Sequence, residues 1–119
     1  MSGKICWVEN GALGIPDPAT WGHPVLCLVR RRGSVVALVG TDRRNVPATK
    51  LHLYELIRPD ARNNLSIETA FKYQTIRLAV QTWDFHEQSH LIGEITQEQL
   101  TDVLTQMAHI VRRGARGQQ

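Results

Sequence analysis

A chain of 119 residues, 42% hydrophobic and 21% charged, has the composition of one ordinary globular domain with a single core. Its formal net charge is +3, and eleven of its fourteen basic residues are arginine, the side chain suited to forking onto phosphate. No apolar run approaches the ~20 residues that cross a bilayer, and the opening MSGKICWVENG has no charged segment leading into an apolar stretch; a cytoplasmic protein with no membrane partner is expected.

The first expected strand is Lys4–Val8, with Trp7 in the core, followed by a glycine- and proline-rich loop, NGALGIPDPATWGH. Pro24–Val29 and Ser34–Gly40 are two apolar runs joined by Arg30-Arg31-Arg32-Gly33, which predicts a hairpin with arginines at its tip. Cys6 and Cys27 lie in separate apolar segments outside any C-x-x-C pair, so two buried, unbridged thiols are expected. Leu51–Ile57 is a further strand candidate, and Arg58–Asn64 (RPDARNN) is a loop.

In Thr75–Trp83 the apolar Ile76, Leu78 and Val80 alternate with polar residues, which predicts a strand with Arg77 facing away from the core. Next comes His86-Glu87-Gln88-Ser89-His90, a His-Glu-x-x-His match to the zinc signature of metalloproteases. A catalytic zinc needs three protein ligands and an open position. The longer pattern would put its next ligand at Thr96, and the other candidates (Glu94, Glu98, Asp102, His109) stand at no familiar spacing. Asp84 and Glu87 also read as a capping pair of a short helix. The match therefore reads as fortuitous, with no metal and no cofactor expected; a zinc hydrolase using His86, Glu87 and His90 is the least favoured alternative.

The last element is the most legible. Leu100, Val103, Leu104, Met107, Ala108 and Val111 form one apolar stripe at helical spacing. Thr96 and Gln99 make a capping box, and Ile95 is placed to staple onto Leu100, so a helix is expected from Gln97 to Val111. Its stripe needs a sheet to cover. The expected architecture is mainly β with a C-terminal helix (α+β), a small curved sheet or barrel in one domain over 1–111, then a basic flexible tail over 112–119.

Several short pieces in this order carry a resemblance: Gly3-Lys4-Ile5-Cys6-Trp7-Val8, then Gly22-His23-Pro24-Val25-Leu26-Cys27-Leu28-Val29, then SVVALVG running into Thr41, then Lys72, Gln74, Ile76 and Arg77, and finally LIGEIT before QEQLTDVLTQM. Over nearly the whole chain this resembles the PemK/MazF family of bacterial toxins. That resemblance implies an SH3-like barrel and a metal-independent, sequence-specific endoribonuclease of a type II toxin–antitoxin system. Its implied partners are single-stranded RNA, an acidic antitoxin and a second copy of the chain.

Such an enzyme uses the RNA 2′-hydroxyl as its nucleophile and must supply a base, an acid and positive charge. The resemblance carries over to His23, Thr41 and Arg77 as catalytic candidates. At His23 the family has an arginine, and histidine can serve as acid or base but is no permanent fork onto phosphate. Arg43 or Arg44 could replace that charge. Arg30, Arg31, Arg32 and Lys72 are further candidates for tracking RNA, and Trp21 or Trp83 for stacking on bases. The competing expectation is a non-catalytic module of the same fold that binds nucleic acid or protein.

Overall fold

The computed structural model describes residues 2–16 and 21–117, with side chains described as far as 111. Seven strands form one curled antiparallel sheet: β1 (Lys4–Glu9), β2 (Gly22–Arg30), β3 (Ser34–Asp42), β4 (Tyr54–Ile57), β5 (Thr69–Lys72), β6 (Ile76–Ala79) and β7 (Leu91–Glu94). Their spatial order is β4-β5-β3-β2-β1-β7, with β6 also on β3. The curl is made by β3, whose first half pairs β6 (Ser34↔Ala79 to Ala37↔Ile76) while its last residues pair β5 (Gly40↔Phe71 to Asp42↔Thr69). A side chain at Gly40 could not exist there: a Cβ would stand 2.7 Å from the Phe71 ring.

Strict alternation along the central strands buries both faces of the sheet. Ile5, Leu26, Leu28 and Leu38 point into the curl, together with Ile57, Leu65 and Phe71. Cys6, Val8, Val25, Cys27, Val35 and Ala37 point out of it. Both cysteines are free and buried, and burial pushes the Cys6 thiol up to about 12.

Helix α3 (Gln97–Gly117) closes the inner face through Leu100 and Val103. Its start is the expected capping box: the Thr96 N–H donates to Gln99 Oε1 at 2.8 Å, and the Gln99 N–H donates to Thr96 Oγ1 at 3.0 Å. Ile95 and Leu100 both lie in the inner core, as a staple requires. Met107 also packs against this core, but Leu104, Ala108 and Val111 depart from expectation, with Leu104 37% exposed and Val111 71%. The helix backbone continues to Gly117, while the side chains of the basic tail over 112–119 lie outside the described residues.

Four further expectations change. Of the strand candidate Leu51–Ile57 only Tyr54–Ile57 is strand, because Leu51–Leu53 end a 3₁₀ helix, Ala48–Leu53. Thr75–Trp83 is not one strand: β6 ends at Ala79, and helix α2 (Val80–Ser89) begins there. The period of two gives way to a spacing of three, with Trp83 and His86 buried on one face and Trp83 packed in the outer core. Asp84 and Glu87 consequently sit inside α2 and cap nothing; they hold it to the sheet through ion pairs with Arg30 and with Lys4, the latter at 3.1 Å. The loop after β1 opens with one helical turn, α1 (Asn10–Leu13). Among the described residues no helix is long and apolar enough to cross a membrane.

Candidate functional site

A cleft of about 420 Å³ opens at one end of the β2–β3 ladder, where the curl leaves the inner face uncovered. Its lining is part apolar, with Trp7, Pro24, Leu65, Ile67 and Ile92, and part polar, with His23, Thr41, Asp42, Asn45, Asn64, Ser66 and the buried Thr69. Trp7 is 41% exposed here, not a core residue. Alternation puts its indole on the same face as Ile5, but beyond the last residue that fills the curl. Gly22 leaves it room, since a Cβ at Gly22 would lie 2.8 Å from Trp7 Nε1.

The structure brings two of the three catalytic candidates together. His23 and Thr41 each stand two residues beyond the Val25↔Val39 pair, at the same end of their strands and on that pair's outward face, whereas Trp7 shares the inward face of Ile5; both nonetheless border the cleft. His23 Nδ1 lies 3.1 Å from the Gly40 carbonyl oxygen. That oxygen only accepts, so Nδ1 carries the hydrogen and the neutral ring keeps its free lone pair on Nε2. Asn45 Nδ2 donates to Thr41 Oγ1 at 3.4 Å, which leaves the threonine hydroxyl hydrogen for a ligand oxygen.

Arg77 does not join them. It pairs with Val36 near the opposite end of β3 and is exposed. The arginine hairpin tip is at that end too, with Arg31 and Arg32 exposed; Arg30, by contrast, is held by the Asp84 carboxylate through both its Nη atoms. Lys72 is exposed at the far end of β5, three residues from Thr69 of the cleft.

The two arginines that follow Thr41 stay close. A short 3₁₀ turn, Arg43–Asn45, begins right after β3 with Asp42 as its N-cap, accepting the Arg44 N–H at 2.9 Å. Arg43 Nη1 donates to the Val46 carbonyl at 3.3 Å. Arg44 turns back on Asp42, with Nε 3.1 Å from both carboxylate oxygens and Nη2 2.6 Å from Oδ2. The Arg44 guanidinium holds the Asp42 carboxyl below its ordinary value.

The part of the lining over 64–66 rests on a buried amide. Asn63 Oδ1 accepts the N–H groups of Asp60 and Leu65, each at 3.0 Å, and its Nδ2 donates to the Arg58 carbonyl at 2.8 Å. Asp60 Oδ1 accepts the Arg62 and Asn63 N–H groups at 2.9 and 2.7 Å. Asn64 follows with φ 56, a left-handed conformation that asparagine tolerates. Strand β7 packs on this loop so closely that a Cβ at Gly93 would lie 2.4 Å from the Asn63 carbonyl oxygen.

HEQSH occupies the end of α2, away from the cleft. His86 is buried with Nδ1 2.7 Å from the Thr82 carbonyl oxygen, and its ring centroid is 5.7 Å from that of His90. Glu87 is committed to Lys4. Among the described residues no group of three or more His, Cys, Asp or Glu side chains is placed to hold a metal ion. Of the other tryptophans, Trp83 is core and Trp21 is 87% exposed just before Gly22.

No protein-family model and no curated protein matches the chain. The residues that the sequence did not single out for the cleft are Trp7, Asp42, Asn45, Asn64, Ser66 and Thr69. Small polar residues at loop ends carry no signal until the loops are brought together.

Proposed function

We propose that the chain is a metal-independent endoribonuclease of the PemK/MazF kind, on an SH3-like barrel, that cleaves single-stranded RNA in this cleft. The observation that carries it is the meeting of His23 and Thr41, seventeen positions from Gly40 and adjacent to it respectively, at one cleft with an exposed indole in its lining. His23 Nε2 takes the proton from the ribose 2′-hydroxyl, whose oxygen attacks the adjacent phosphorus. The bond to the 5′-oxygen of the next nucleotide breaks, and that oxygen takes a proton from water, giving a 2′,3′-cyclic phosphate, while the protonated His23 returns its proton to solvent. The Thr41 hydroxyl and an arginine beside it meet the charge that gathers on the phosphate oxygens. Trp7 offers a face on which an unpaired base can stack. A second copy of the chain and an acidic antitoxin segment belong to this proposal as partners.

The test is incubation of the purified chain with a long unstructured RNA in excess EDTA, with product ends read by mass spectrometry. Cuts at a short recurring sequence that leave 2′,3′-cyclic phosphates are expected. RNA that stays intact at every pH from about 6 to 9, a span across which a general base can act, defeats the proposal.

One observation favours a second reading, a non-catalytic module that binds nucleic acid or protein: no arginine or lysine lines the cleft, and Arg77 lies at the other end of β3. That module binds RNA or a partner, and substitution of His23, Thr41 or Arg77 changes no cleavage because there is none.

A further inference from the structure

The cleft as it stands has a charge pattern unsuited to a phosphate. Asp42 is its charged lining residue, a carboxylate only 19% exposed at the side chain, next to the Thr41 hydroxyl. An incoming phosphate oxygen near Thr41 meets that negative charge. The nearest guanidinium, that of Arg44, is turned onto the same carboxylate by three side-chain hydrogen bonds.

The pair is asymmetric. Asp42 is fixed by its backbone position at the end of β3 and by its second duty, capping the 3₁₀ turn through the Arg44 N–H. The Arg44 side chain is 81% exposed, so water already surrounds most of it and nothing else confines it. Exposed ion pairs of this kind contribute little net stability, because solvent competes with them. A phosphate presents a guanidinium fork with the same spacing of two oxygens as a carboxylate. Rotation of one solvated side chain is therefore enough to exchange the one for the other.

We propose that Arg44 is the phosphate contact of this cleft and that Asp42 is a built-in competitor for it, an internal carboxylate that occupies the fork until RNA displaces it. This rests on the nuclease reading above and adds to it the residue that supplies the missing charge and the contact that restrains it. The restraint sets a threshold: a lone phosphate has to displace Asp42, whereas a strand already held by stacking on Trp7 presents its phosphate at high local concentration. Substituting Asp42 by asparagine keeps the size and the capping oxygen, since asparagine caps as well as aspartate, but removes the charge.

The experiment measures the affinity of a short, fluorescein-labelled, mixed-sequence 2′-O-methyl RNA by anisotropy at several salt concentrations. Methylation blocks the internal nucleophile, so binding is read without cleavage. For D42N the affinity is expected to rise by roughly two- to fivefold, the worth of an exposed ion pair. R44Q is expected to weaken binding and to lower the salt slope by about 0.7, the loss of one phosphate contact on a single strand. D42N should gain less in the R44Q background than in the unaltered chain, because without Arg44 only the direct repulsion between Asp42 and the phosphate is relieved. D42S, which also keeps a capping oxygen, should repeat the gain of D42N.

If the chain binds the RNA but D42N and D42S show no gain, or if D42N gains as much in the R44Q background as in the unaltered chain, the inference falls while the nuclease reading stands. If R44Q binds as tightly as the unaltered chain, the inference falls in the same way. Absence of any binding, together with intact RNA in the EDTA assay, removes the nuclease reading and the inference with it.

Discussion

His23 illustrates what a single backbone contact contributes at the scale of one residue. Its Nδ1–H is held by the Gly40 carbonyl, so the ring is oriented and its tautomer fixed before any substrate arrives. His23→Asn should keep a side chain of similar reach yet abolish proton transfer. Cleavage is expected to fall by about 10²–10⁴, the usual contribution of a general base, while affinity for the 2′-O-methyl RNA stays within a few-fold. An equal loss in both measurements would make His23 a binding residue only. Cys6 is the opposite case, a potentially reactive group that the fold silences. Burial raises its thiol from 9.0 to about 12, so at neutral pH it is protonated as well as inaccessible. A thiol reagent at pH 8 should leave both cysteines unlabelled in the native chain and label both in denaturant. The sign of the linkage follows: the unfolded thiol ionises from about pH 9 upward while the folded one does not, so this group lowers stability as pH rises through that window and has no effect below it.

At the scale of elements, what was legible depended on whether the information was local. The capping box at Thr96 and Gln99 and the hairpin at Arg30–Gly33 are fixed by neighbours in sequence, and both formed as expected. Strand β5, TAFK, gave no such signal, since four residues are too few for a period and its partners are β3 and β4. Residues 75–83 show the limit most clearly: Val80 continues the alternation of β6, yet Trp83 reaches the outer core only if the chain turns helical. Trp7 was misplaced for a related reason. Alternation gives its face, but only the extent of the curl decides whether that face is covered. The loop over 58–64 was legible as a loop, but not as the cleft's support. That role predicts a measurable cost. Asn63→Ala strips the N–H groups of Asp60 and Leu65, the latter buried, of their acceptor, which should destabilise the chain by about 1–3 kcal/mol in urea unfolding. The wall carrying Asn64 and Ser66 should loosen with it, so RNA affinity should fall even at temperatures where the chain remains folded.

At the scale of the whole molecule, the arginines that follow β3 and those of the hairpin and β6 fall at opposite ends of β3. Arg43 and Arg44 follow the cleft directly, whereas Arg31, Arg32 and Arg77 lie at the other end of β3. From Thr41 back to Ser34 the strand runs for roughly 20 Å at 3.3 Å per residue. That distance exceeds the Debye length of about 8 Å at physiological salt, so the hairpin charges cannot stabilise a transition state in the cleft. They can only hold a strand that extends across the sheet. Specificity and affinity should therefore come apart on mutation. Arg31→Ala/Arg32→Ala removes two potential phosphate contacts, which should lower the salt slope of binding by up to about 1.4 for a single strand. The sequence at which RNA is cut should not change, because Trp7, Asn45 and Asn64 of the cleft in which the proposal places the RNA are untouched. Mapping cut sites on one long RNA with this variant and with the unaltered chain, at matched extents of cleavage, decides the matter. A changed cut pattern would mean that the hairpin end reads sequence, and that the cleft and the arginine tip act as one site despite their separation.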